Sequence, residues 1–128
     1  MSDPLEPDAL EAVERNVELV RERLLRPEGI ADDDWEGAVR HLDGFVLRQR
    51  EGGAADGLVS TVGSYLGAAV IATHGGRWVR AQGDMGVEID GGFTAFPFAK
   101  AAKLVANGPE DSILSFLTMI GPIMRETS

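Results

Sequence analysis

Two glycines one helical turn apart, Gly63 and Gly67, constrain this chain more than any other feature. They sit inside residues 56–73, which read as a helix capped by Asp56 with Leu58, Val62, Tyr65, Leu66, Ala69 and Val70 on its apolar face. Each glycine inside a helix costs about 1 kcal/mol relative to alanine. A pair at i, i+4 therefore predicts that another backbone, of a helix or of the sheet, comes very close there. The membrane form of this motif needs an apolar stretch of about 20 residues. The longest apolar run here, residues 66–73, is far shorter, so the close packing is expected in a water-soluble core.

The segments after this helix predict a small antiparallel sheet. His74-Gly75-Gly76 stops the helix, with one glycine taking the left-handed C′ conformation. Residues 77–82 alternate polar and apolar, Gly83-Asp84-Met85-Gly86 has turn chemistry, and residues 87–90 alternate again. Gly91-Gly92 makes a second turn, and residues 93–96 complete a three-stranded meander with Trp78, Val87 and Ile89 on its core face. Pro97 ends the pairing, and a short helix over 98–106 stops at Asn107-Gly108. Pro109 opens the last helix, with Glu110 and Asp111 complementing its N-terminus and Ile113, Phe116, Leu117, Ile120 and Met124 forming its stripe. Pro122 predicts a kink or an early end.

Toward the N-terminus, residues 1–7 are polar and hold two prolines, which predicts a frayed lead-in. Asp8 caps a first helix whose Leu10, Val13, Val17, Val20 and Leu24 recur at spacings of three and four, and Pro27 and Gly29 end it. Asp32-Asp33-Asp34 precedes a second helix running to about Arg50, buried through Trp35, Ala38, Val39, Leu42, Phe45 and Val46. Carboxylates at a helix start oppose the positive dipole end, which explains the triplet without a metal. A calcium loop would need a glycine and spaced oxygen ligands that are missing. His41 falls between core positions and reads as a boundary residue. The predicted fold is one α+β domain over 1–128. It comprises a helical hairpin at 8–51, then a core at 56–128 made of the small-residue helix, a three-stranded antiparallel meander and two C-terminal helices packed on the sheet.

Composition narrows the function. The chain of 128 residues has no cysteine and two histidines, His41 and His74, so thiolate chemistry is excluded and a zinc site would have to draw on carboxylates. The first residues show no signal-peptide pattern, making the cytoplasm the default expectation. A formal net charge of −9 opposes nucleic acid and suits a basic protein partner, although solubility alone accounts for such a surplus. No phosphate loop, dinucleotide fingerprint or Gly-x-Ser-x-Gly elbow is present, and Gly63-Ser64-Tyr65-Leu66-Gly67 has its serine in the wrong place. His74-Gly75-Gly76 resembles an oxyanion loop only in its letters and reads as the helix stop. No catalytic residues and no cofactor are expected. The heptad-like spacing of the first helix leaves monomer and homodimer both open.

One local conflict marks a candidate ligand-binding site. Lys100 and Lys103, the only lysines, share a helix face at i, i+3 in the first turns, where a cation opposes the dipole. With His74, Arg77 and Trp78 they form the candidate site for an anionic small ligand or an acidic segment. The alternative is that the lysine stems merely cover the aromatic cluster while their ammonium heads reach water.

The order Tyr65-Leu66-Gly67, Gly75-Gly76-Arg77-Trp78, then Pro97-Phe98 followed by Lys100 and Lys103, resembles a family of small uncharacterised bacterial α+β domains, over roughly residues 56–120. That resemblance implies an α+β fold and transfers no catalytic residue. Some small acidic bacterial domains of this build are immunity proteins encoded beside toxins, a likeness of size and charge and not of motif. The sequence is therefore read as a non-enzymatic interaction module of immunity or adaptor type that uses an acidic surface. The alternative is an anionic-ligand or enzymatic domain centred on Trp78, Lys100 and Lys103.

Overall fold

The computed structural model describes residues 2–53, 57–89 and 92–127, the last four of these by their backbone alone. Asp3–Pro4 form a short strand, β1, and Pro7–Val20 form α1, which starts on a proline at its first turn and has no side-chain cap. The helix does not end at Val20. A π-helical turn over Arg21–Leu25 lets Arg26 N–H donate to Arg21 O, and a 3-10 turn over Arg26–Glu28 follows, closed by Gly29 at φ 74°. Trp35–Glu51 form α2, whose cap is the carboxylate of Asp34 accepting from Gly37 N–H.

Leu58–His74 form α3. The expected Asp56 cap lies outside the described residues. Val62, Gly63, Ser64, Tyr65, Leu66 and Gly67 are buried one after another, so this helix has no solvent face over its middle turns. An element surrounded in this way needs no amphipathic stripe, and the small residues make room for neighbours on every side.

Three further strands follow: β2 (Arg77–Ala81), β3 (Asp84–Ile89) and β4 (Phe93–Ala95). The sheet has four antiparallel strands in the order β1-β2-β3-β4, so the expected three-stranded meander is corrected by one strand. Its extra member is the predicted frayed lead-in. Asp3 and Pro4 pair with Arg80 and Val79, Leu5 is buried, and the Glu6 carboxylate accepts from Arg80 at 2.9 and 3.2 Å. The first hairpin also turns earlier than predicted. Gln82 at φ 54° and Gly83 at φ 83° make a two-residue turn of the primed kind, and Asp84, Met85 and Gly86 belong to β3. Gly86 is a strand glycine: a Cβ there would meet Ala95 O and Thr94 Cγ2 at 3.0 Å. Asp90, the last residue of the predicted strand, and Gly91 of the second predicted turn lie outside the described residues.

Pro97–Asn107 form α4, beginning on the proline that ends the pairing, and Ile113–Thr127 form α5, which continues past Pro122. Pro109–Asp111 are a separate 3-10 turn and not the first turn of α5. The N-terminus of α5 is instead capped from α2: Asp43 accepts from Ser112 Oγ at 2.7 Å, Ile113 N–H at 2.8 Å and Leu114 N–H at 3.0 Å. Arg50, on the same helix, donates to the last carbonyls of α4, Val105 O at 2.7 Å and Ala106 O at 3.2 Å. Each charge opposes the dipole end it meets. The layout differs from expectation for one reason, the central place of α3. Helices α1 and α2 pack on α3 more than on each other, and α4 and α5 pack mainly on α3 and α2, with α3 and α4 touching β3. A single hydrophobic cluster runs from Val13 through Val62, Leu66 and Val87 to Ile120.

Candidate functional site

The glycine pair on α3 receives two aromatic rings. A Cβ on Gly67 would clash with the edge of the Trp78 ring and lie 3.1 Å from Pro97, and one on Gly63 would meet the Phe98 ring and lie 3.0 Å from Phe98 Cα. The expected approach of another backbone occurs at Gly63, where α4 comes close, while at Gly67 the neighbours are side chains, Trp78 of β2 and Pro97. Trp78 and Phe98 lean on each other with centroids 5.7 Å apart.

Seating Trp78 against α3 leaves its outer face as one wall of a groove of about 440 Å³. Leu10, Val13, Val17 and Arg21 from the first helical stretch, Ala68, Ile71 and Ala72 of α3, and Trp35 complete its lining. Both tryptophans of the chain thus line one groove. Trp35 itself packs on Tyr65 at 5.4 Å and carries the Arg21 guanidinium at 5.4 Å over its ring. The Tyr65 hydroxyl is fully buried with no hydrogen-bond partner, and burial pushes its pKa up to about 12 against the lowering pull of Arg21.

Glu14 and Glu18 stand on the α1 rim of this groove. With Glu11 of α1 and Glu22 of the π-helical turn that follows they recur at i, i+3, i+7, i+11 in the sequence. Glu18 also accepts from Arg26 at 2.9 Å, and Arg26 forks onto Asp32 at 2.8 and 3.2 Å. Residues 3–36 carry twelve carboxylates against four arginines, a net −8 of the chain's −9. The acidity is thus concentrated in the segment that contributes α1 and Trp35 to the groove.

The five residues predicted as one ligand site are not brought together. Lys100 Nζ pairs with Asp111 at 2.9 Å, which resolves the conflict with the helix dipole by a partner from the next turn. Asn107 and then Lys100 hold the Asp111 carboxyl below its ordinary range by hydrogen bonds. Lys103 is exposed and shares with Lys100 a second groove of about 540 Å³, lined also by Asp84, Phe93, Phe96 and Phe116. Arg77 pairs with Glu88 at 3.0 Å. His74 Nε2–H donates to Leu117 O at 2.8 Å, tying α3 to α5. Trp78 lines the first groove and neither lysine does.

Among the described residues no group of three or more His, Asp or Glu is placed to hold a metal ion. No helix among them is long and apolar enough to cross a membrane. Sequence reasoning picked out Trp78 but grouped it with the lysines. What it missed is Trp35 and the α1 face as partners of Trp78, and the one available signal was the uneven charge, with almost all of the surplus in residues 3–36. No family model matches this chain, and comparison with curated proteins and with solved structures gives no match either.

Proposed function

We propose that this chain is a non-enzymatic interaction module that binds a basic protein partner through the acidic face of α1. The observation that carries this reading is the segregation of charge, a net −8 over residues 3–36, beside an apolar groove holding both tryptophans. A concentrated negative field speeds encounter with a basic partner, and half-buried aromatic side chains supply the apolar contact that makes such an encounter last. An immunity or adaptor role is the same reading at the level of biology, and an adjacent gene for a basic toxin would support it.

The test is capture from the native host's lysate by the immobilised chain at low and high salt, beside a variant carrying Glu11→Lys, Glu14→Lys and Glu22→Lys. Basic proteins retained at low salt by the native chain and lost by the variant are the expected result. Retention of nothing at low salt, or of the same proteins by both chains, contradicts the reading.

A second reading, an anionic small ligand between Lys100 and Lys103, draws on the 540 Å³ groove, a volume in the ordinary ligand range. Asp111 already neutralises Lys100, and Asp84 lies on the same groove, so the local field for an anion is weak. Calorimetric titration with small aromatic carboxylates tests it; heat that disappears with Lys103→Ala supports it.

A further inference from the structure

Resting on the interaction-module reading, we infer that the groove between α1, α3 and β2 takes one face of a basic amphipathic α-helix from the partner. Three observations select this occupant. The first is length. The lining from Leu10 to Arg21 covers twelve residues, eleven helical rises or about 16 Å, which matches three turns of a helix laid alongside.

The second is the backbone chemistry of the walls. An extended segment needs an open strand edge to satisfy its N–H and C=O groups. Two sides of this groove are helices, α1 and α3, whose backbone groups are paired within the helix, and the third is Trp78 on β2, which pairs with Val87 of β3 on one side, β1 reaching β2 only at Val79 and Arg80. An extended occupant would find no backbone partners along the two helical sides, whereas a helix satisfies its groups internally. Ala68 and Ala72, one turn apart on α3, leave room in the lining for a helix to approach.

The third is charge. Glu14 and Glu18 line the groove, Glu18 shared with Arg26, and Glu11 and Glu22 continue the same spacing to either side, so lysines or arginines flanking the apolar stripe of the incoming helix would enter a carboxylate-rich stretch. An aliphatic or aromatic side chain of that stripe would pack against Trp35 and Trp78, which both line the groove.

The probe is a synthetic leucine–lysine peptide of about 18 residues, some 27 Å as a helix, with leucines at i, i+3, i+4 and i+7. A peptide of the same composition in scrambled order and a leucine–glutamate peptide of the same pattern serve as controls. Binding to the full chain is read by tryptophan fluorescence and by amide NMR shifts. The patterned basic peptide is expected to bind, to shift amides around Val13, Val17, Ala72 and Trp78, and to gain helical circular dichroism, while the glutamate peptide does not bind. Ala72 is exposed, so Ala72→Arg fills the groove without disturbing the core, and it should weaken the patterned peptide about tenfold or more, equivalent to at least about 1.4 kcal/mol. No binding of the patterned peptide, or equal binding by Ala72→Arg, overturns the inference. Equal affinity for the scrambled peptide, lost with the triple Glu→Lys variant, overturns the helix inference and leaves the acidic-face reading standing. Undiminished binding by the triple variant overturns both.

Discussion

Replacing Gly67 by alanine sets two effects of opposite sign against each other. Helix propensity alone favours alanine by about 1 kcal/mol. Against this, the new Cβ would clash with the edge of the Trp78 ring and lie 3.1 Å from Pro97. Overpacking of this kind costs about 1–3 kcal/mol. Trp78 is half-buried and can swing toward the groove, losing its contact with Phe98, which places Gly67→Ala at a net loss of about 1 kcal/mol. Gly63→Ala has no such escape, because Phe98 Cα stands 3.0 Å from the added atom and backbone cannot rotate away. Its net loss should reach about 2 kcal/mol, near 7 °C in Tm for a chain of this length. Urea unfolding followed by far-UV circular dichroism ranks the two, and near-UV circular dichroism reports the displaced Trp78 in the Gly67 variant. Either variant proving more stable than the native chain, as propensity alone requires, would refute the account of why these glycines are here.

Other perturbations follow from the same geometry. Asp43→Ala removes three hydrogen bonds from the start of α5 and should cost about 2 kcal/mol in urea unfolding, with Asp43→Asn intermediate because it keeps one acceptor. Deleting residues 1–6 exposes the Leu5 site and breaks the Glu6–Arg80 pair, an expected loss of about 2–3 kcal/mol by the same assay. Tyr65→Phe removes a buried hydroxyl that has no partner and should leave stability unchanged or raise it by up to about 1 kcal/mol. Tyr65 is the only tyrosine, so phenolate absorbance of the native chain should rise with a midpoint about 12 and not near 10. Acid unfolding tests the carboxylates of Glu6, Asp32, Glu88 and Asp111, each held below its ordinary range: by Arg80, by Arg26, by Ser2 and then Arg77, and by Asn107 and then Lys100. Because their folded pKa values are depressed, their contribution is complete above the ordinary 3.8–4.5 and is lost as pH falls through the folded values, so stability should decline with pH below that range and not above it.

Local signals in the sequence located the helices and the close packing at Gly63 and Gly67. The Asp34 cap, the stop at Gly29 and the helix start beside Pro97 are legible because their causes lie within a few residues. What escaped depends on contacts across the chain. Strand β1 is two residues long and contains a proline, so no alternation can announce it; it exists because β2 offers an edge and Leu5 has a place to bury. The hairpin turn moved to Gln82-Gly83 because Met85, Val87 and Ile89 must share one face, which outweighs the reluctance of glutamine to take a positive φ. Lysine 100 looked misplaced until Asp111 supplied its counter-ion, and Asp43 caps a helix 70 residues away. The groove is assembled from α1, Trp35, α3 and Trp78, four stretches that no local pattern connects.

The most direct test of the central claim uses the two tryptophans as they are, since both line the groove and no other indole contributes to the emission. At low ionic strength, caesium and iodide quenching are compared, with neutral acrylamide as the measure of access. An acidic rim concentrates the cation and repels the anion. Caesium should therefore quench more than iodide once each is scaled to its intrinsic efficiency on free tryptophan, and added salt should close the gap. Equal scaled quenching by the two ions at low salt, or stronger quenching by iodide, contradicts the claim that the tryptophan groove lies within a negative field built to receive a basic partner.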